Sequence, residues 1–341
     1  MKRICLFGVM LALIFLVPHR SAAQKAAVAE RARPLVLTEA IALPGVQGRF
    51  DHFGFDRKNQ LFVSALGNNT VEVIDISART RVRSIQGIPN PQGVVYAPEV
   101  RKLFAASSKG KLYVYDGASF ELIKEIDFGG DVDNLRYDPT TKRVYAGYGE
   151  DETGAIGVVD ATTNERVEEY QLGAHPESFQ LESEGPNIYV NLPDLKQIAV
   201  INRSTRKITR WPLTLEHNFP MALDEANRRL FVATHQPARM AVFDTDSGRV
   251  VATLPCVQDA DDIYYDSSRK RIYAPGGEGY ISVFEQKDAD HYQILAKVTS
   301  ALGARTAGHF GKGRKGFDRF FLAVPPRADK GAEMWIYTVQ D

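Results

Sequence analysis

One unit of the chain recurs at intervals close to forty residues, and that recurrence constrains the fold more than any other feature. A Leu/Ile/Val–aromatic–small triplet appears as Leu61-Phe62-Val63, Leu103-Phe104-Ala105, Val144-Tyr145-Ala146, Ile188-Tyr189-Val190, Leu230-Phe231-Val232, Ile272-Tyr273-Ala274 and Phe320-Phe321-Leu322. Successive triplets start 41 to 48 residues apart. A second run keeps phase with the first: Val71–Asp75, Leu112–Asp116, Ile156–Asp160, Ile198–Asn202, Met240–Asp244 and Ile281–Glu285. β-Branched and aromatic residues dominate both runs, as a packed pleated surface favours. The closing Asp or Asn suits a turn, because its short side chain accepts from backbone N–H groups two residues on. Recurring once per unit, these acids read as turn formers, not catalysts.

A period near forty with several short strands per unit implies an all-β, seven-bladed β-propeller of four-stranded blades. Fourth strands follow in the inner units, as at Val82–Ile85, Leu122–Ile126, Val167–Tyr170 and Val250–Leu254, but the last unit ends without one. Leu35 to Leu43 has the missing pattern. This N-terminal strand is expected to complete the C-terminal blade, closing the ring and removing exposed sheet edges. The expected organisation is a signal peptide at 1–23, a flexible N-terminus at 24–34 and a single propeller domain at 35–341. Gly311-Lys312-Gly313-Arg314-Lys315-Gly316 is expected to form a basic turn.

The same residues carry a resemblance. The Leu/Ile–Phe/Tyr–Val strand, the run Asn68-Asn69-Thr70-Val71-Glu72-Val73-Ile74-Asp75 and the later turn residues resemble the YVTN-repeat β-propeller proteins, over essentially all of 35–341. That resemblance implies a periplasmic or surface location and a binding or adhesion role, with lactonases and lyases among related propellers. Units 4 and 7 depart from the tidiest repeats, with the turn Asp replaced or lost.

Export is also expected from the N-terminus itself. Lys2 and Arg3 precede an apolar run from Ile4 to Val17, and Ser21-Ala22-Ala23 fits a small-x-small cleavage site before Gln24. The run is short for a membrane span, an uncleaved anchor being the alternative. No later segment is long and apolar enough to span, so the mature chain is expected to be periplasmic or secreted. The 42 basic and 42 acidic residues balance, and removal of Lys2, Arg3 and Arg20 leaves a slight acidic excess. General affinity for nucleic acid or anionic membrane does not follow from such a balance. Cys5 would leave with the peptide, and Cys256 alone cannot form an intramolecular disulfide.

Function is expected where propeller loops converge, at the segments leading into the inner strands around the central channel. Four of the seven histidines fall there: His52, His175, His217 and His309. His235 ends a second strand on the same side. The candidate ligand-binding set is Arg49, Asp51, His52, Asp133, Asn134, His175, Glu177, His217, His235, Asp261, Asp262, Arg305 and His309. Within it, His52, His217 and His309 are the catalytic candidates, and with Asp261 they are the metal candidates. Imidazole with carboxylate suits Zn²⁺ or Mn²⁺, and carboxylate with amide oxygen suits Ca²⁺. An unmetallated polar funnel and metal-free acid–base catalysis are open alternatives. No c-type haem motif is present, and two tryptophans do not fit the tryptophan repeat of PQQ-containing quinoproteins.

The leading expectation is therefore a binding module for a small ligand, peptide or partner protein, working as a monomer. A metal-assisted hydrolase or lyase is the alternative. Nucleic-acid binding ranks third, through base stacking on Phe50, Phe53 or Phe219 beside Arg49 and Arg305.

Overall fold

The structure, a computed structural model, describes residues 33–56, 58–311 and 317–341. The expected signal peptide, most of the expected flexible N-terminus and all of the basic turn but Gly311 lie outside these residues. The described residues form seven four-stranded antiparallel sheets, each a meander running from an inner to an outer strand. Blade 1 spans residues 53–86, blade 2 91–127, blade 3 132–171, blade 4 179–212, blade 5 216–255 and blade 6 264–299. Blade 7 takes its three inner strands from 307–339, and its outer strand is Leu35–Leu43. That strand pairs antiparallel with Ala332–Val339, Leu35 facing Val339 and Leu43 facing Ala332. The chain is a seven-bladed β-propeller closed through its N-terminal strand.

Each triplet found in the sequence lies in the second strand of a blade, where it is almost wholly buried. Phe62, Phe104, Phe231, Phe320 and Phe321 expose none of their surface. The core lies between blades: Phe104, Val114 and Leu112 of blade 2 join Val144, Val159 and Ala146 of blade 3 in one cluster. Burial of such side chains contributes about 1.5–3 kcal/mol each, which is what holds the ring, where Cys256 is the one cysteine among the described residues and is free. The recurrent acids do cap turns. Asp116 Oδ1 accepts from the Ala118 and Ser119 amides at 2.9 and 2.8 Å, and Asp160 Oδ1 from those of Thr162 and Thr163. In blade 4 Asn202 does the same for Ser204 and Thr205, so replacement of Asp there keeps the turn chemistry.

Two features of the inner strands shape the channel. Pairing with the second strand is interrupted between Pro91 and Val94, Val132 and Leu135, and Asn218 and Met221. Such bulges turn side chains out of the normal alternation. The inner strands also approach closely at glycines. A Cβ on Gly93 would stand 2.4 Å from the Asp133 carbonyl oxygen, and one on Gly54 2.7 Å from that of Val94. Glycine at these points lets neighbouring blades converge on the axis.

Candidate site at the channel mouth

The segments before and across these bulges deliver a ring of polar side chains to one recess of about 340 Å³. Its lining includes six carboxylates, from Asp51, Asp131, Asp133, Glu177, Asp259 and Asp261, against the guanidinium groups of Arg49 and Arg305. Three histidines, His52, His175 and His235, complete the polar wall.

His52 is the hub. Its Nδ1 lies 3.3 Å from Asp262 Oδ1. Its Nε2 faces Asn134 Nδ2 at 3.0 Å, Asp51 Oδ1 at 3.3 Å and Asp133 Oδ1 at 3.6 Å. The Asp262 carboxylate is itself fixed, because Oδ2 accepts from the Ala307 amide at 2.8 Å. Burial works against a charged imidazole here, but Asp51, Asp133 and Asp262 overcome it and raise the pKa well above the ordinary histidine range. Asp133 is lowered: burial opposes its ionisation, and the His52 contact and charge outweigh that. Asp51 goes the other way, pushed up to about 6, chiefly by burial.

On the opposite side of the recess Arg305 bridges two acids, Asp259 Oδ1 at 2.5 Å and Asp261 Oδ2 at 2.6 Å. Burial nevertheless pushes Asp261 up to about 7, with Arg305 opposing. Burial also lifts Glu177 well above the glutamate range, reinforced by Asp133 and Asp261. His235 is lowered, first by burial, and its Nε2 donates to the Ala260 carbonyl at 2.9 Å. His175 Nδ1 contacts the Gly149 carbonyl at 2.5 Å. Burial and mutual repulsion together raise the proton affinity of Asp51, Glu177 and Asp261.

Among the expected site residues, Arg49, Asp51, His52, Asp133, Asn134, His175, Glu177, His235, Asp261 and Arg305 come together in the recess. Asp262 stands behind His52, lining the next cavity along the channel. Two catalytic and metal candidates lie elsewhere. His309 is buried between blades 6 and 7, its Nδ1 3.0 Å from the Arg319 carbonyl and its ring 5.3 Å from that of Tyr273. Its strand, Ala307–His309, turns that side chain away from the axis and toward Asp266 Oδ2, 3.4 Å off. His217 is an exposed residue stacked against Phe219, outside the lining. Phe50 is core, 3% exposed, and not open for base stacking. Asp131, Asp259, Gln92 and Ser178 were not singled out from the sequence, although Asp131, Asp259 and Gln92 occupy the same lead-in segments. Gln92 Nε2 donates to Asp131 Oδ1 at 2.8 Å, tying blade 2 to blade 3.

The geometry can take a divalent ion. Donor atoms of Asp51, His52 and Asp133 lie within 4.8 Å of one another. The 3.3 and 3.6 Å spacings about His52 Nε2 approach the roughly 3.0–3.4 Å ligand–ligand edges that metal–ligand bonds of about 2.1 Å require. Asp262 on Nδ1 is the outer carboxylate that commonly orients a ligating imidazole. His235, Asp259 and Asp261 form a second such group, but Arg305 already neutralises its two acids. Cys256 offers no nucleophile: burial pushes its thiol up to about 12.

Comparison with solved structures agrees on the fold. A chain of the crystal structure of the mitotic checkpoint complex superposes with a TM-score of 0.75 at 13% identity, covering 97% of this chain and 99% of that one. A chain of Kuenenia stuttgartiensis hydrazine synthase gives 0.68 at 14% identity, covering 82% of this chain and 95% of that one. These likenesses concern the propeller alone. The sequence matches no family profile and no curated protein.

Proposed function

We propose that this propeller is an exported binding module that captures a small ligand at the channel mouth, with a divalent cation held by Asp51, His52 and Asp133. The convergence of six carboxylates on one recess around the His52 hub carries the reading. A cation there would offset the burial and mutual repulsion that raise the proton affinity of Asp51 and Glu177, and would offer Lewis-acid contacts to ligand oxygen atoms. The repeat's likeness to YVTN-type propellers and the signal-like leader support an extracytoplasmic role. The acidic recess disfavours nucleic-acid phosphates, and Phe219 is engaged by His217 and His235.

Thermal melts with Mn²⁺, Zn²⁺ or Ca²⁺ test this. At an ion concentration about 100-fold above the dissociation constant, stabilisation is about 2.7 kcal/mol, a rise of roughly 4 °C for a domain of this size. Asp51→Asn and Asp133→Asn abolish the rise. Melting curves indifferent to all three ions at millimolar concentration refute the cation site.

One observation favours a second reading, a hydrolase or lyase of the lactonase kind. His52 is oriented through Nδ1 by Asp262 and its acidic neighbours favour the protonated ring, while Nε2 faces the recess, as a general acid requires. His217 and His309 are displaced from the recess, so the prediction narrows to one residue. His52→Ala removes any turnover of a lactone, and His309→Ala leaves the chemistry intact in the folded protein.

A further inference from the structure

Beyond His52 the channel continues into a second cavity of about 310 Å³, which has a different character. Six of the seven inner strands contribute to it, setting Phe53, Met221 and Leu223 beside polar groups that include the Asp262 carboxylate, and Phe310 reaches it from just beyond the seventh. Into this surface projects a single guanidinium, that of Arg136. Arg136 sits two residues beyond Asn134 on the inner strand Val132–Asp138, so alternation returns it to the axis one step deeper.

The guanidinium is only partly satisfied. Nη1 donates to Asn134 Oδ1 at 3.2 Å and to the Leu135 carbonyl at 2.8 Å, and Nη2 donates to Ser178 Oγ at 3.4 Å. The Nε hydrogen and the second Nη2 hydrogen have no acceptor among the described residues. The nearby acids are committed elsewhere. Asp262 is held by His52 and the Ala307 amide, and Asp133 by Asn134 and His52. Burial draws the Arg136 pKa below the usual guanidinium range, with Tyr264, Asp262 and Asp133 opposing. Arg136 is half-buried, its guanidinium lies 5.4 Å from the Phe179 ring centroid, and no carboxylate among the described residues pairs with it directly, so its unused N–H groups are left for an anion entering the cavity.

We infer that this inner cavity is a binding site for a small organic monocarboxylate, its carboxylate bridging Nε and Nη2 of Arg136 and its apolar body lying against Phe53, Met221, Leu223 and Phe310. Side-on pairing of one guanidinium edge with both carboxylate oxygens is the strongest contact Arg makes with such a group. The Tyr264 ring flanks the cavity with its hydroxyl bound to the Ala307 carbonyl at 2.6 Å. A volume of about ten waters admits a benzoate-sized acid and excludes an extended peptide.

The test uses benzoate, benzamide and acetate in calorimetric titrations of the full protein with EDTA present, so that the cation site at the mouth plays no part. Benzoate is expected to bind, while benzamide, which lacks the charge, and acetate, which lacks the ring, bind at least tenfold more weakly. Arg136→Gln weakens benzoate at least tenfold, and Leu223→Trp, which fills the cavity, does the same with Arg136 intact. Should Arg136→Gln fail to fold, the Leu223→Trp variant and the benzamide comparison decide. Absence of benzoate binding at 10 mM, equal binding of benzamide, or undiminished binding in either folded variant overturns the inference. Loss of cation binding in Asp133→Asn leaves it standing.

Discussion

Asp133, Asn134 and Arg136 show how much chemistry three positions of one strand can carry. Asp133 faces His52, Asn134 bridges His52 and Arg136, and Arg136 projects into the next cavity. The first two were legible from the sequence because they open an inner strand. Arg136 was not, since inside a strand an arginine reads as an exposed residue until a curved sheet places it on an axis. The histidines divide for a similar reason. His52, His175 and His235 precede or end strands at the mouth, whereas His309 lies within a strand whose alternation sends it between blades. A pH prediction belongs at this scale. Asp261 and Glu177 hold their protons more tightly in the fold than in the unfolded chain. Their contribution to stability is complete below about pH 4 and is lost as pH rises, for Asp261 through about 7. The melting temperature of metal-free protein should fall between pH 5 and 8. Asp261→Asn, which cannot ionise, should flatten that fall by an amount on the order of 1–2 kcal/mol, after allowance for its partial exposure. An unchanged slope in melts across this range would contradict the assignment.

Strand by strand, the account depends on where pairing is broken. Bulges at residues 91–94, 132–135 and 218–221 free the side chains that line the channel. Glycine at 93 admits the next strand to within contact. Gly93→Ala would place a methyl group against a backbone carbonyl that cannot move without shifting blade 3. The expected loss is about 1–3 kcal/mol, read from chemical denaturation, with weaker ligand binding because Asp133 shifts too. Periodicity announced the strands but not these bulges, because a bulge adds a residue without changing residue type. Ring closure is the other prediction at this level. Removing residues 33–43 strips Leu35, Ile41 and Leu43, at 2%, 5% and 0% exposure, from the last blade. At about 1.5–3 kcal/mol per side chain the cost is roughly 5–9 kcal/mol, enough to unfold most domains. A truncated chain that melts at the full-length temperature would show that the strand is dispensable.

Taken as a molecule, the propeller separates its functions along one axis. Seven near-identical sheets supply rigidity, while their dissimilar lead-in segments supply the chemistry. That division explains why the fold could be read from the repeat and the ligand could not: the repeat is local, but the recess is assembled from residues as far apart as Arg49 and Arg305. It also yields two compartments separated by His52, one crowded with acid and one where apolar side chains and a single carboxylate surround one guanidinium. The most direct check of the central claim is a crystal of the protein soaked in Mn²⁺ and recorded for anomalous scattering. The account predicts a peak at the channel mouth about 2.0–2.3 Å from His52 Nε2 and from one oxygen each of Asp51 and Asp133. A map with no peak there, or with manganese bound only on the outer surface, would contradict it.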